Sequence, residues 1–358
     1  MDAPSVARLR ESGAVLIGKT TTPEFGWKAV TDSPLTGITR NPWNSEMTPG
    51  GSSGGAAVAA ACGMGALHLG TDGGGSIRIP AAFTGIVGMK ATFGRVPAFP
   101  ASPFGTLANV RPMARCVADI ALMLSVIGKP DFRDWYAIAD RVDYQCGLES
   151  GVKGLKIAYS PTFAGRAVNP EVAELVGKAA YAFRDLGATV EEQEAPVGPG
   201  CLATFLNHWF PGVASAIGGL NDEDRSRIDP GLLIAADLGA KLSALDYLAA
   251  VAEREKLALE MSRFFNRWAL LLTPTAPVPA FQAGLNYPDA KSQQWTDWTP
   301  FTYPFNLTRQ PAISIPCGRT RDGLPVGLQS VGPPMADRRV LQAAGAFESI
   351  YNFEPPPL

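Results

Sequence analysis

Apolar and polar positions follow two different spacings along this chain, and the switches between them lay out its elements. Short apolar runs of strand length occur at AVLIG (14–18), ALHLGTD (66–72), LKIAYS (155–160), ATVEE (188–192), ALLLTPT (269–275), AISIPCG (312–318) and VGLQSVG (326–332). These read as strands. Between some of them the spacing lengthens: Val172, Leu175, Val176, Ala179, Phe183 and Leu186 recur every three to four residues and stop at Gly187, the pattern of an amphipathic helix closed by glycine. Ser243 with Asp246 predicts a capped helix running towards Trp268. At the start, Asp2 as N-cap and Pro4 in the first turn predict a short helix ahead of AVLIG, which reads as a buried strand. Strands alternating with helices predict an α/β fold with a mixed β-sheet. Residues 195–235 and 276–304 are rich in Pro, Gly and Trp without clear periodicity, which predicts surface loops or a substrate-side cap. The tail EPPPL is polyproline-like.

Composition narrows the class. In 358 residues, 31 Lys+Arg against 33 Asp+Glu give a net charge of −2, and 46% of positions are apolar, so the chain can bury a sizeable core and offers no basic field for nucleic acid. A small or uncharged substrate fits better. Cys62, Cys116, Cys146, Cys201 and Cys317 lie far apart with no C-x-x-C pair, which predicts a reducing, cytoplasmic setting. No run approaches about 18 uninterrupted apolar residues and MDAPSVARLRESG lacks the build of an export signal, so neither a membrane partner nor export is expected. Only His68 and His208 are present, which argues against a metal site built on clustered histidines and leaves a histidine base two candidates. No cofactor is expected.

The chemistry concentrates in Thr48–Ala81, where two glycine-rich turns, Gly50–Gly55 and Asp72–Ser76, flank a small-residue helix (about 55–65) and a strand (about 66–71). Two serines thereby sit on turns. Glycines let backbone N–H groups converge on one point, as a developing oxyanion requires, and Ser76 opening a helix would add the positive end of its dipole. A phosphate site is disfavoured, because the segment lacks the G-K-[ST] ending and the G-x-G-x-x-G spacing, and Asp72 would oppose a phosphate.

GGSSGG followed by TDGGGSIRIPA closely resembles the signature of the amidase signature family of serine hydrolases. GAVLIGKTTTPEFGW (13–27), RNPWN (40–44), GMKATFGRVP (88–97), PFNLTRQPAISIPCG and DGLPVGLQSVGP (304–333) agree with it, and the likeness runs from residue 2 to about 350. The resemblance implies a mixed sheet between helical layers and a Ser-cisSer-Lys triad. It places the nucleophile on Ser76, the bridging serine after a cis peptide on Ser52, the oxyanion loop on Gly73, Gly74 and Gly75, and a supporting serine on Ser53. Asp72 and Arg78 are expected to pair across the turn and hold Ser76, and His68 to be a core or rim histidine. Arg309 stands where the family commonly has glycine; a carboxylate clamp and a plain surface arginine are both open.

One expectation departs from the family. Its base lysine lies in a V-K-D type segment farther upstream of the cis-serine than the 51 residues preceding Ser52. Lys19 and Lys90 match structural lysines, and Lys28 has no motif support. The reading is therefore a single amidase domain over 1–358, with a core of 1–135, 150–195 and 265–350, cap or substrate-side loops at about 195–305, and its first strands and helices missing. An open sheet edge, poor folding and impaired amide turnover are expected with it. Three functions remain: a carboxamide hydrolase acting through an acyl-enzyme on a small-molecule amide, the amidase subunit of a glutamyl-tRNA amidotransferase, and an inactive amidase-like protein that only binds. A homodimer is left open.

Overall fold

The computed structural model describes residues 1–163, 165–289 and 292–357. Residues 290 and 291 of the expected cap and the last residue of the proline tail lie outside them. In chain order the elements are α1 (Pro4–Glu11), a small hairpin of β1 (Asp32–Ser33) and β2 (Gly37–Ile38), α2 (Gly54–Ala61), β3 (His68–Asp72), α3 (Arg78–Thr84), β4 (Val87–Lys90) and β5 (Asn109–Ala114). Then follow α4 (Val117–Ile127), β6 (Lys156–Tyr159), α5 (Pro170–Ala182), β7 (Thr189–Glu192), α6 (Cys201–Ile217), α7 (Asp222–Arg225), α8 (Pro230–Ala240) and α9 (Ala244–Phe265). The chain closes with β8 (Leu270–Pro274), α10 (Pro304–Leu307), β9 (Ala312–Arg319), β10 (Pro325–Val331) and α11 (Asp337–Ile350).

Eight strands form one sheet in the order β3-β5-β4-β9-β10-β8-β6-β7. Pairing is antiparallel from β3 as far as β8 and parallel from β8 through β6 to β7, so the sheet is mixed. The period-2 alternation of strand side chains fills two cores. Ile157, Leu270, Leu272, Ile313, Ile315 and Leu328 pack on one face with residues of α4, α5 and α11. Ala158, Leu271, Ala312 and Val331 face the other way, towards α6, α8 and the aromatic side chains of 295–305. Because β3 is an edge strand, its C-terminal end at Asp72 feeds straight into the second glycine-rich turn.

The expected helix forms, with Asn169 accepting the Glu171 and Val172 N–H groups at its N-terminus, but it ends at Ala182 with Phe183 as C-cap, and Gly187 (φ +86°) lies in the turn that follows rather than at its close. Ser243 and Asp246 cap α9 reciprocally.

Three further local expectations are corrected, and two strands add to those expected. AVLIG is not a strand: residues 14–20 have no regular structure and Val15, Leu16 and Ile17 are exposed, because no neighbouring strand offers a hydrogen-bond ladder among the described residues. Ala3, not Asp2, occupies the N-cap of α1, while Asp2 pairs with Arg10 at 3.4 Å. Residues 195–235 are largely helical rather than loop. Gly212 serves packing inside α6 rather than a turn, since a Cβ there would lie 2.8 Å from both Phe104 and the Pro103 carbonyl oxygen. Strands β4 and β5 went unpredicted because they are short and carry Gly88, Asn109, Arg111 and Pro112, which hide any alternation.

Candidate active site

The first serine turn is assembled around Thr31. Its hydroxyl donates to the Gly50 carbonyl at 2.8 Å and accepts the Gly54 N–H at 3.1 Å, so a side chain from outside the turn replaces the hydrogen bonds the tight backbone cannot make with itself. Within the turn the Gly51–Ser52 peptide is cis. Ser53 ties this turn to the rest of the site: its hydroxyl accepts the Thr71 N–H at 3.1 Å and donates to the Thr71 carbonyl at 3.2 Å, while its own N–H donates to the Ser76 carbonyl at 3.0 Å.

The second turn is organised from beneath by Asp72 and Arg78, both fully buried. Arg78 Nε donates to Asp72 Oδ2 and Nη2 to Oδ1, each at 2.9 Å. The remaining N–H groups of Arg78 reach the Thr302 carbonyl, Gln329 Oε1 and Asn306 Oδ1 at 2.7–3.0 Å, so the guanidinium is fully engaged. Burial alone would raise the Asp72 pKa, but the Arg78 charge and its hydrogen bonds bring it down to about 2. Asp72 also accepts the Gly75 N–H at 2.9 Å. Within the expected oxyanion loop the Gly75 N–H is engaged, whereas the N–H groups of Gly73, Gly74 and Ser76 have no partner among the described residues. Gly75 itself has φ +129°, and Thr302 donates to the Gly74 carbonyl at 2.7 Å. The helix after the turn begins at Arg78, two residues beyond Ser76.

Ser52 and Ser76 open onto one cavity of about 320 Å³. Neither hydroxyl has a hydrogen-bond partner among the described residues. Phe25, Phe104, Ala108, Val110 and Trp209 supply much of the apolar wall. Trp209 stacks on Phe104 at 4.1 Å, and Trp209 and Trp295 press against the glycine loop so closely that a Cβ on Gly73 or Gly74 would meet them at 2.9 and 2.7 Å. These aromatic residues were invisible as site residues in the sequence. Asn306 and Gln329 were also missed, although a polar side chain inside the apolar run VGLQSVG was an available signal.

The other candidates lie elsewhere. Lys28 is buried in a cage of Asp32 Oδ1 at 2.5 Å, Asp229 Oδ2 at 2.7 Å and Asn286 Oδ1 at 3.0 Å. Lys90 donates to the Gln310 carbonyl, and burial together with the Arg78 charge holds its ammonium well below the usual lysine range. Lys19 is exposed. His68 Nε2 lies 3.3 Å from the Gly65 carbonyl and His208 Nδ1 lies 2.8 Å from the Thr204 carbonyl; burial lowers the pKa of both. Arg309 is exposed, stacked over Phe93 at 4.9 Å and outside the cavity lining. Its φ of +65° explains why glycine suits that position.

Comparison with known proteins fits this geometry. The family profile described as Amidase matches residues 1–341. A glutamyl-tRNA(Gln) amidotransferase subunit from Methanococcoides burtonii is 36% identical, the match covering 97% of this chain and 78% of that protein. An acylamidase from Rhodococcus erythropolis is 38% identical, covering 98% of this chain and 75% of that one. Among solved structures, a bacterial aryl acylamidase of the amidase signature enzymes superposes with a TM-score of 0.91 at 31% identity, over 99% of this chain and 76% of its own.

Proposed function

This chain belongs to the amidase signature family, and from that premise we propose that it hydrolyses carboxamides through an ester formed on Ser76, with Ser52 passing protons. One observation carries the reading: two unpartnered serine hydroxyls share a cavity lined also by Gly73, in a glycine loop where the N–H groups of Gly73, Gly74 and Ser76 are unengaged among the described residues. Ser76 Oγ adds to the amide carbonyl carbon while its proton passes to Ser52. The negative charge that develops on the carbonyl oxygen is held by the N–H groups of Gly73, Gly74 and Ser76. Collapse breaks the C–N bond, the amine leaves with a proton, and water repeats the sequence on the acyl-enzyme to release the acid.

The relay needs a terminal base. No lysine or histidine among the described residues is hydrogen-bonded to either hydroxyl. The reading therefore assigns slow proton transfer, and impaired amide turnover, to these 358 residues. A fluorophosphonate probe tests the nucleophile: it is expected to label the protein at Ser76, and labelling that persists in Ser76→Ala would refute the assignment.

A second reading is favoured by the likeness to proteins named as glutamyl-tRNA(Gln) amidotransferase subunits. It has the same site delivering ammonia from glutamine within a complex. Co-purification with companion subunits and glutamine-dependent ammonia release would select it.

A further inference from the structure

None of the residues lining the cavity before Ser76 carries a charge. The wall beside the glycine loop is a flat aromatic stack of Phe104 and Trp209, continued by Ala108, which a Cβ on Gly73 would meet at 3.6 Å. Neither Arg78 nor Arg111 lines the cavity, and both are engaged elsewhere. Arg78 has every N–H engaged in the Asp72, Asn306, Gln329 and Thr302 network. The terminal nitrogens of Arg111 donate to the carbonyls of Val110, Ala91 and Thr92 and to Asn109 Oδ1. Asn109, the amide side chain of the lining, donates in turn to the Leu107 carbonyl. An α-carboxylate and an α-ammonium brought into this space would lose water and find no opposite charge, which is strongly unfavourable. A hydrocarbon group gains from the same desolvation. The volume of about 320 Å³ accommodates an aromatic ring with a few further atoms, near the small end of the ~300–1,000 Å³ usual for ligand pockets.

We infer that the site takes uncharged amides bearing an aryl or short alkyl group beside the carbonyl, and rejects free glutamine, with the Phe104, Ala108 and Trp209 wall setting that preference. The inference rests on the Ser76 reading above.

Its test reads binding rather than turnover, so that the two can fail separately. Isothermal titration of the Ser76→Ala chain with benzamide, acetamide and L-glutamine is expected to give benzamide an affinity at least tenfold above that of L-glutamine. Ala108→Phe, which fills the wall, should weaken benzamide at least tenfold and leave acetamide within twofold, with thermal unfolding reporting that the fold is kept. Protection of the unsubstituted chain from fluorophosphonate labelling should rank the three amides in the same order, which guards against a misfolded variant. Glutamine binding as tightly as benzamide, or a benzamide affinity indifferent to Ala108→Phe, overturns the inference. Loss of Ser76-dependent labelling with the binding order intact would instead overturn the nucleophile and leave the pocket preference standing.

Discussion

Asp72 and Arg78 face each other through two parallel hydrogen bonds of 2.9 Å, with both side chains fully buried. The residues between them are the glycine loop, Ser76 and Ile77, so the pair clasps the base of that loop. Removing one member leaves a buried charge without its counterion. Arg78→Ala is therefore expected to destabilise the fold by about 3–5 kcal/mol and to abolish fluorophosphonate labelling. Urea unfolding checks the first part, and a loss below about 1 kcal/mol would mean that the pair behaves as an exposed one.

The same carboxylate makes stability depend on acid. A group whose pKa is lowered by folding adds stability in full above its unfolded value near 4, and that contribution disappears as pH falls through about 2. The size of the shift corresponds to roughly 2 kcal/mol. Unfolding free energies at pH 6, 4 and 2.5 should fall more steeply for the unsubstituted chain than for Asp72→Asn. Parallel profiles would remove Asp72 as the source.

Gly75 combines a φ of +129° with a neighbour, Thr302 Oγ1, only 2.4 Å from where a Cβ would stand. Gly75→Ala should cost about 2 kcal/mol or more and reduce Ser76 acylation at least a hundredfold, since the loop must shift away from Thr302. Near-normal acylation by a folded Gly75→Ala chain would show that the loop tolerates movement without losing its oxyanion geometry.

Among the described residues no base is hydrogen-bonded to either hydroxyl, and on the proposed reading this separates leaving groups. An aryl ester asks little of the proton relay and an amide asks much, so this chain should cleave a p-nitrophenyl ester measurably while its matching amide reacts slower by a thousandfold or more. Ser52→Ala should depress both. Comparable ester and amide rates would mean that a base is at work, and Lys19, Lys28, Lys90 and His68 would be substituted in turn to find it.

The sequence made the chemistry legible where residue type and backbone shape coincide. Ser52, Ser53 and Ser76 lie on turns whose glycines announce close backbone approach, and the Asp72–Arg78 pair is separated by only six positions. Legibility failed where distant segments meet. Trp209 and Trp295 reach the glycine loop from more than 130 residues away, and nothing local in their sequence marks them as neighbours of that loop. The same holds for Asn306, whose side-chain amide donates to the Asp72 carbonyl at 3.0 Å across 234 positions. AVLIG failed for a different reason, because an apolar run becomes a strand only when a ladder partner stands beside it. The helices of 195–235 are hidden because glycine serves close packing as well as turns, as Gly212 does inside α6 against Phe104.

The hydrogen bond from the Ser53 amide to the Ser76 carbonyl fixes the two serine turns to each other through the main chain, whereas the aromatic wall against the loop comes largely from later segments, through Phe205, Trp209 and Trp295. The two serines and most of the cavity lining nevertheless come from the first 110 residues, and Trp209 of α6 is the lining residue contributed from later in the chain. Substitution at Trp209 can thus reshape the cavity without touching the main-chain link between the serine turns, so on the proposed reading α6 is a place where preference for new amides can diverge.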